Sequence, residues 1–423
     1  MVDRRSRSTA FPASWRPPPP DGGGGGGDTA DPTLLPVATG QAQNSGAYNA
    51  LNVPGMAAGT SYLDPVVGTR VYKCSNPAFT PGDDNQPPHY AEFGPHVSCP
   101  WIHPVTGRTM YTLSTLGQFA GGRLIDFDYT LALTGAVGVV SNWRTTPWDE
   151  LEMGFSFNLS TPRICYYSAG GPVTRFDTGT MAAANTGFFP GPTLADREFM
   201  LDKNDAWFVG KTTPDEVVRT WNSQTNQSQN WGVSGNEPKL DRNGGYIYSV
   251  ETSTDYRQGS LAAGPPWTNP FPADWGASHE ATPGNGLLMA ADPTTGGGST
   301  LERWDPVTLT RTYLGTGGQG CWAHGAGQWV HGNGAGLLMW VPSSIYDPCG
   351  SLSLAIGYFR FNDTNLTNVR LLCHHYSDAQ GGLDYFAQPH ATPSPDGKII
   401  LFGSNMLVTS GRVDSFVALV PTS

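Results

Sequence analysis

From about residue 90 onward the chain repeats one pattern: a turn containing Gly, Asn or Asp, then a compact hydrophobic run. The pieces are HPVTGRTMYTLS (103–114), LSTPRICYYSA (159–169), DKNDAWFVGK (202–211), DRNGGYIYSVE (241–251), PGNGLLMAAD (283–292), GNGAGLLMWVP (332–342) and SPDGKIILFGS (394–404). After most of them comes a second segment in which apolar and polar residues alternate, such as PVTRFDTGT and STLERWDPVTLTRTYLG. Period-two alternation marks a half-buried strand. Two pairs of repeats also match in detail. HVSCPWIH (96–103) and HGAGQWVH (324–331) share H-x4-W-[IV]-H, and HEATPGNG (279–286) and HATPSPDG (390–397) share a Thr-Pro step before the turn glycine. A period of about 40 to 50 residues in a chain of strands predicts the blades of a β-propeller. Seven pieces predict seven blades, with six or eight also compatible.

Composition supports an all-β class. Gly 54 and Pro 36 in 423 residues interrupt any window long enough to nucleate a helix. The 13 Trp, 16 Tyr and 18 Phe are enough to build a core. Residues 1–60 stand apart, with a PPPP run, six glycines from Gly22 to Gly27 and few aromatics. Alone, such a segment cannot bury enough apolar surface to fold. It is expected to be an extended Pro/Gly-rich N-terminal arm, ordered by the chain's own body or by a protein partner or neighbouring subunit. Residues 61–423 are then the propeller. GTRVYKCS (68–75) is expected to pair beside DSFVALVP (414–421), so that N- and C-terminal strands close the ring and no edge is left exposed.

The net charge of −11 argues against a nucleic-acid partner. No apolar run is long enough to span a bilayer. The first twenty residues carry arginines without an apolar run behind them, unlike a standard secretory signal. A virion or other extracellular particle is the expected location, with the cytoplasm as the alternative. Cys74, Cys99, Cys165, Cys321, Cys349 and Cys373 show no zinc-finger spacing. Buried free thiols are expected, and one or two disulfides among the later cysteines are also compatible.

Candidate chemistry comes from the phase of the repeat. In a propeller the residue just before the innermost strand of a blade lies near one mouth of the central channel. Aligning the seven units puts His96, Glu152, Glu198, Glu237, His279, His324 and His390 at or near that position. Converging imidazoles and carboxylates suit one divalent metal, manganese, zinc, iron or calcium. The other reading is a wet polar channel that holds no cofactor. Trp143, Trp148, Trp267 and Trp275, in NWRTTPWDE and WTNPFPADWG, are candidates for stacking on a saccharide or for covering the rim.

The segment SPDGKIILFGSN (394–405) resembles the strand-opening signature of propellers related to the Tol-Pal translocation protein and to oligogalacturonate lyases. The resemblance extends over residues 90–423 as architecture and over 388–405 as motif. For the lyases it implies a His/Gln metal site, which Gln388 and His390 match and to which His279 and His324 are the nominated additions. It also implies β-elimination of an acidic sugar polymer, with the metal neutralising the uronate carboxylate and a basic side chain, here unassigned, taking the α-proton. The acidic balance opposes such a substrate unless an arginine patch overrides it. The expected function is therefore a non-catalytic structural or binding component of a larger assembly, such as a phage virion or surface particle, anchored by its arm. The alternative is a metal-dependent polysaccharide lyase.

Overall fold

The computed structural model describes residues 34–36, 42–80, 98–117, 121–148, 153–155, 163–167, 172–188, 200–202, 204–212, 217–233, 238–241, 243–252, 255–272, 282–284, 286–292, 300–315, 329–332, 339–343, 355–360, 370–377, 389, 391–408 and 412–422. Two strands come first, β1 (Ser61–Leu63) and β2 (Arg70–Lys73). Sheet one holds β3 (Ser98–Ile102), β4 (Thr109–Gly117), β5 (Gly121–Asp128) and β6 (Val140–Thr145). Sheet two holds β7 (Met153–Phe155), β8 (Ile164–Tyr167), β9 (Val173–Asp177) and β10 (Ala182–Phe188). Sheet three holds β11 (Met200–Leu201), β12 (Trp207–Thr212), β13 (Val217–Asn222) and β14 (Gln227–Val233). Sheet four has three strands, β15 (Lys239–Leu240), β16 (Tyr246–Thr252) and β17 (Asp255–Ser260). Sheet five holds β18 (Thr282–Gly284), β19 (Leu287–Asp292), β20 (Thr300–Asp305) and β21 (Thr310–Gly315). Sheet six holds β22 (Trp329–Gly332), β23 (Met339–Ser343), β24 (Ala355–Arg360) and β25 (Arg370–His374). Sheet seven joins β26 (Thr392–Pro393), β27 (Ile399–Ser404) and β28 (Asp414–Leu419) to β2 and β1.

Every pairing is antiparallel between sequence neighbours except one, where β2 lies against β28 with Val71 opposite Ala418 and Tyr72 opposite Val417. The N-terminal strands thus complete the last sheet. Apolar layers seal successive sheets. Cys99, Leu124 and Trp148 meet Cys165, Tyr167 and Phe176 between sheets one and two. Ile164, Tyr166 and Val173 meet Leu201, Phe208 and Trp221 between two and three. Tyr72, Ile399, Leu401 and Val417 of sheet seven meet Tyr111, Leu113, Ile125 and Phe127 of sheet one, closing the ring. The first strands lie innermost, with β11 against β15, β15 against β18, β18 against β22, and β22 against β26. This is the architecture of a β-propeller.

The burial pattern explains the sequence signal. In β27, Ile399 and Leu401 enter the layer toward sheet one, whereas Ile400 and Phe402 enter the layer toward sheet six. β27 is buried on both faces, so residues 399–402 read as an unbroken apolar run, each side chain contributing roughly 1.5–3 kcal/mol. The third strands β5, β9, β13 and β20 end in an aromatic residue followed by Asp or Asn, whose carboxyl or amide oxygen holds the next turn. Asp305 Oδ1 accepts from the N–H groups of Val307 (2.8 Å) and Thr308 (3.1 Å), and Asn222 Oδ1 does the same for Gln224 and Thr225. Asp128 likewise caps the short helix α2 (Tyr129–Ala132).

Among the described residues sheet four has three strands, and residues 261–272 lie along its last one. Gln258 and Thr268 exchange two backbone hydrogen bonds of 2.8 Å. Trp267 packs on Trp231 at 5.1 Å between ring centroids, and Phe271 packs on Trp304 at 4.8 Å. The edge is covered by side chains in place of a ladder.

The arm departs from an extended form where it is described. Helix α1 (Ser45–Ala50), capped by Asn44, and a 3-10 turn at Val53–Gly55 lead into β1. Leu35, Tyr48 and Val53 are buried with Tyr376, Ile400 and Phe402. The chain's own sixth and seventh sheets supply the apolar surface that this segment lacks by itself.

Candidate functional site

The first strands open at Ser98, Met153, Met200, Lys239, Thr282, Trp329 and Thr392. In the sequence, His96, Glu152, Glu198, Glu237, His279, His324 and His390 come one to five positions ahead of those residues, and Gln388 comes four ahead of Thr392. All eight lie outside the described residues. The phase of the repeat is visible in the strands that follow them. Thr282 pairs with Met289 and Pro283 with Leu288 in sheet five, and Thr392 pairs with Leu401 and Pro393 with Ile400 in sheet seven. The two Thr-Pro steps therefore occupy the same register in different sheets. Among the described residues no group of three or more His, Cys, Asp or Glu side chains is placed to hold a metal ion. Of the seven residues that open the first strands only Lys239 is charged, and it is fully buried. Sequence reasoning passed over it because a lone lysine carries no motif.

The stacking tryptophans fare unevenly. Trp148 is 2% exposed and sits against Tyr167 and Phe176, so it belongs to the seal between sheets one and two and offers no face to a saccharide. Trp143 is half-buried beneath the Arg123 guanidinium, and Trp267 packs on Trp231. Trp275 lies outside the described residues.

At the other end of the first strands, the turns into the second strands tie the sheets together with polar groups. Asp396, of the SPDG turn, accepts 2.6 Å from the Tyr111 hydroxyl and 2.7 Å from Ser394 Oγ. Arg163 N–H donates to Cys99 Sγ at 3.0 Å, while its guanidinium covers the Trp101 ring at 4.0 Å. Asp241 Oδ1 accepts from Gly286 N–H at 3.0 Å, joining sheets four and five. Asp202 Oδ1 accepts from the N–H groups of Ala206, Asn204 and Trp207. Burial pushes the Asp202 carboxyl up to about 6, against the pull of those N–H groups and with the nearby Asp241 charge adding to the rise. Each of these carboxylates accepts hydrogen bonds from within the fold.

Several described arginines are neutralised within the fold. Arg144 grips Asp126 with two 3.0 Å hydrogen bonds, Arg412 meets Asp414 at 2.8 Å, Arg108 meets Asp128 at 3.1 Å, and Arg311 pairs with Glu302. Cys74, Cys99, Cys165 and Cys373 are free and buried. Burial raises each thiol, that of Cys99 to about 12, so none of the four is a thiolate nucleophile. Cys321 and Cys349 lie outside the described residues. No helix among the described residues is long and apolar enough to cross a membrane.

No family model matches the chain, the Tol-Pal relatives included, and no curated protein matches it. Among solved structures, an oligogalacturonate lyase in complex with manganese is similar with a TM-score of 0.57 at 13% identity, over 86% of this chain and 99% of that one. An oligogalacturonate lyase from Vibrio parahaemolyticus gives the same TM-score at 11% identity, over 86% and 99%. At these identities the likeness shows the propeller fold.

Proposed function

We propose that the chain is a divalent-metal-dependent lyase that cleaves acidic saccharides by β-elimination, at the end of the propeller where the first strands begin. The observation that carries this reading is the structural likeness to a manganese-bound oligogalacturonate lyase over 99% of that chain's length. His279, His324, Gln388 and His390 are the residues that would hold the ion, since imidazole nitrogens and an amide oxygen form a donor set that manganese accepts. Bound there, the cation supplies neutralisation of the uronate carboxylate and so acidifies the neighbouring C–H. A basic side chain takes that α-proton, the electron pair of the broken C–H bond becomes the carbon–carbon double bond of the product, and the bond from the β-carbon to the glycosidic oxygen breaks with its pair leaving on the oxygen. The leaving oxygen gains a proton, which balances the step.

The reading as an assembly component rested on an arm in need of a partner. Residues 42–60 of that arm pack on sheets six and seven of their own chain, whereas the Pro and Gly runs lie outside the described residues.

The test is His279→Ala and His390→Ala in the full chain. The expected result is loss of bound manganese and of the ultraviolet absorbance that an unsaturated uronate product generates, with an unchanged thermal unfolding profile. Full activity in either variant overturns the assignment.

A further inference from the structure

The segment before β1 makes contacts of the kind a bound peptide makes. From Leu35 to Thr60 it carries no charged residue. Its helix has six residues, too short to hold together in water. Between Pro36 and Pro54 its anchors lie along the seam between sheets six and seven. The Leu371 N–H of β25 donates to Pro36 O at 2.9 Å. Tyr48 stacks face to face on Tyr376, 3.8 Å between centroids and 7° between planes, with the Tyr62 edge 5.6 Å away. Val53 is fully buried, and its carbonyl and that of Pro54 accept from Lys73 Nζ at 3.1 and 3.0 Å. The same ammonium lies 3.3 Å from Asp414 and 3.4 Å from Met406 Sδ.

We propose that residues 42–56 are a strap that binds this seam as a peptide ligand binds a groove, and that the seam recognises the segment without a covalent link to it. The recognition is divided in three. Tyr376 provides an aromatic floor for Tyr48, a buried apolar pocket takes Val53, and Lys73 reads two successive backbone carbonyls at the Val53–Pro54 turn. Because Lys73 belongs to β2 and Tyr376 follows β25, the occupied groove fastens sheet six to sheet seven beside the strand pairing that closes the ring. Release leaves the Lys73 ammonium buried with Asp414 and without its carbonyl acceptors, so the unstrapped seam is loosened. This inference is independent of the lyase reading.

The test uses the full chain carrying a specific protease site between Ala57 and Ala58, where Ala57 is exposed. After cleavage, the N-terminal piece is expected to co-elute with the body on gel filtration. A labelled peptide of residues 42–56, added in excess, is expected to replace it, and the same peptide with Tyr48→Ala to bind at least about tenfold more weakly. Lys73→Met is expected to weaken retention while hydrogen exchange in sheets two to five stays unchanged. If the piece leaves and the body keeps its melting temperature, the groove is not a binding site. If the body unfolds on cleavage, or the retained piece never exchanges with peptide, the segment is an integral element of the fold and the proposal fails.

Discussion

The Tyr111 hydroxyl donates a 2.6 Å hydrogen bond to Asp396 Oδ2 and so joins the second strand of the first sheet to the SPDG turn of the last. Burial and the neighbouring carboxylate push the Tyr111 phenol well above its ordinary range, so it remains a protonated donor at any working pH. Tyr111→Phe removes the donor and leaves the half-buried carboxylate oxygen without its tyrosine partner. The expected cost is roughly 1.5–3 kcal/mol in urea unfolding. A loss below a few tenths of a kcal/mol would mean that the link contributes nothing to ring closure.

Asp202 carries a pH signature. Its folded pKa of about 6 lies above the roughly 3.9 of an unfolded aspartate, so the folded state holds the proton more tightly. Stability from this group is therefore full below about pH 4 and falls as pH rises through 6, by up to about 3 kcal/mol. Asp202→Asn keeps an oxygen for the N–H groups of Ala206, Asn204 and Trp207 and removes the titration. Urea unfolding between pH 4 and 7 should show a flatter profile for the variant and greater stability at pH 7. Parallel profiles for the two proteins would contradict the assignment.

Gly259 has no room for a side chain. A Cβ there would lie 2.4 Å from Cζ3 and 2.7 Å from Cη2 of Trp231, a ring already packed on Trp267. Gly259→Ala should cost about 1–3 kcal/mol and disturb tryptophan fluorescence, because the displaced ring also seals the covered edge of sheet four. Unchanged stability would show that Trp231 moves freely.

Cys74, Cys99, Cys165 and Cys373 should resist alkylation in the native protein and react after denaturation. Peptide mapping after iodoacetamide treatment reads this directly. Rapid native labelling of any of the four would place it at the surface.

What the sequence revealed follows from which strands are buried on both faces. The seven turn-plus-strand pieces overlap the second strands of the described sheets, because a doubly buried strand is rich in apolar residues, as Ile399, Ile400, Leu401 and Phe402 are in β27. The closing partners were legible because a ring of sheets leaves no edge only when its terminal strands pair, and Val71 stands opposite Ala418 between them. First strands such as Met200–Leu201 and Lys239–Leu240 have two residues and so carry no period to read. The helix at Ser45–Ala50 is six residues of neutral, small side chains, and only Tyr48 marks the face it buries. Lys73 and Asp414, or Asp64 and the His374 ring 3.3 Å from it, are brought together by the closure of the ring and by no spacing along the chain. Burial alone would raise the Asp64 carboxyl, but hydrogen bonds from the His374 ring and backbone and from Val67 outweigh it and hold the group below its ordinary value. The buried place of Trp148 was not legible because a loop tryptophan and a seal tryptophan have the same neighbours in sequence. The His, Glu and Gln residues ahead of the first strands were legible only through the phase of the repeat.

The most direct measurement of the central claim is elemental analysis of the purified full-length chain, loaded with manganese and dialysed against a weak chelator, beside the His390→Ala variant. The account predicts about one manganese per chain in the parent protein and none in the variant. Equal metal content in the two, or none in either, would contradict it.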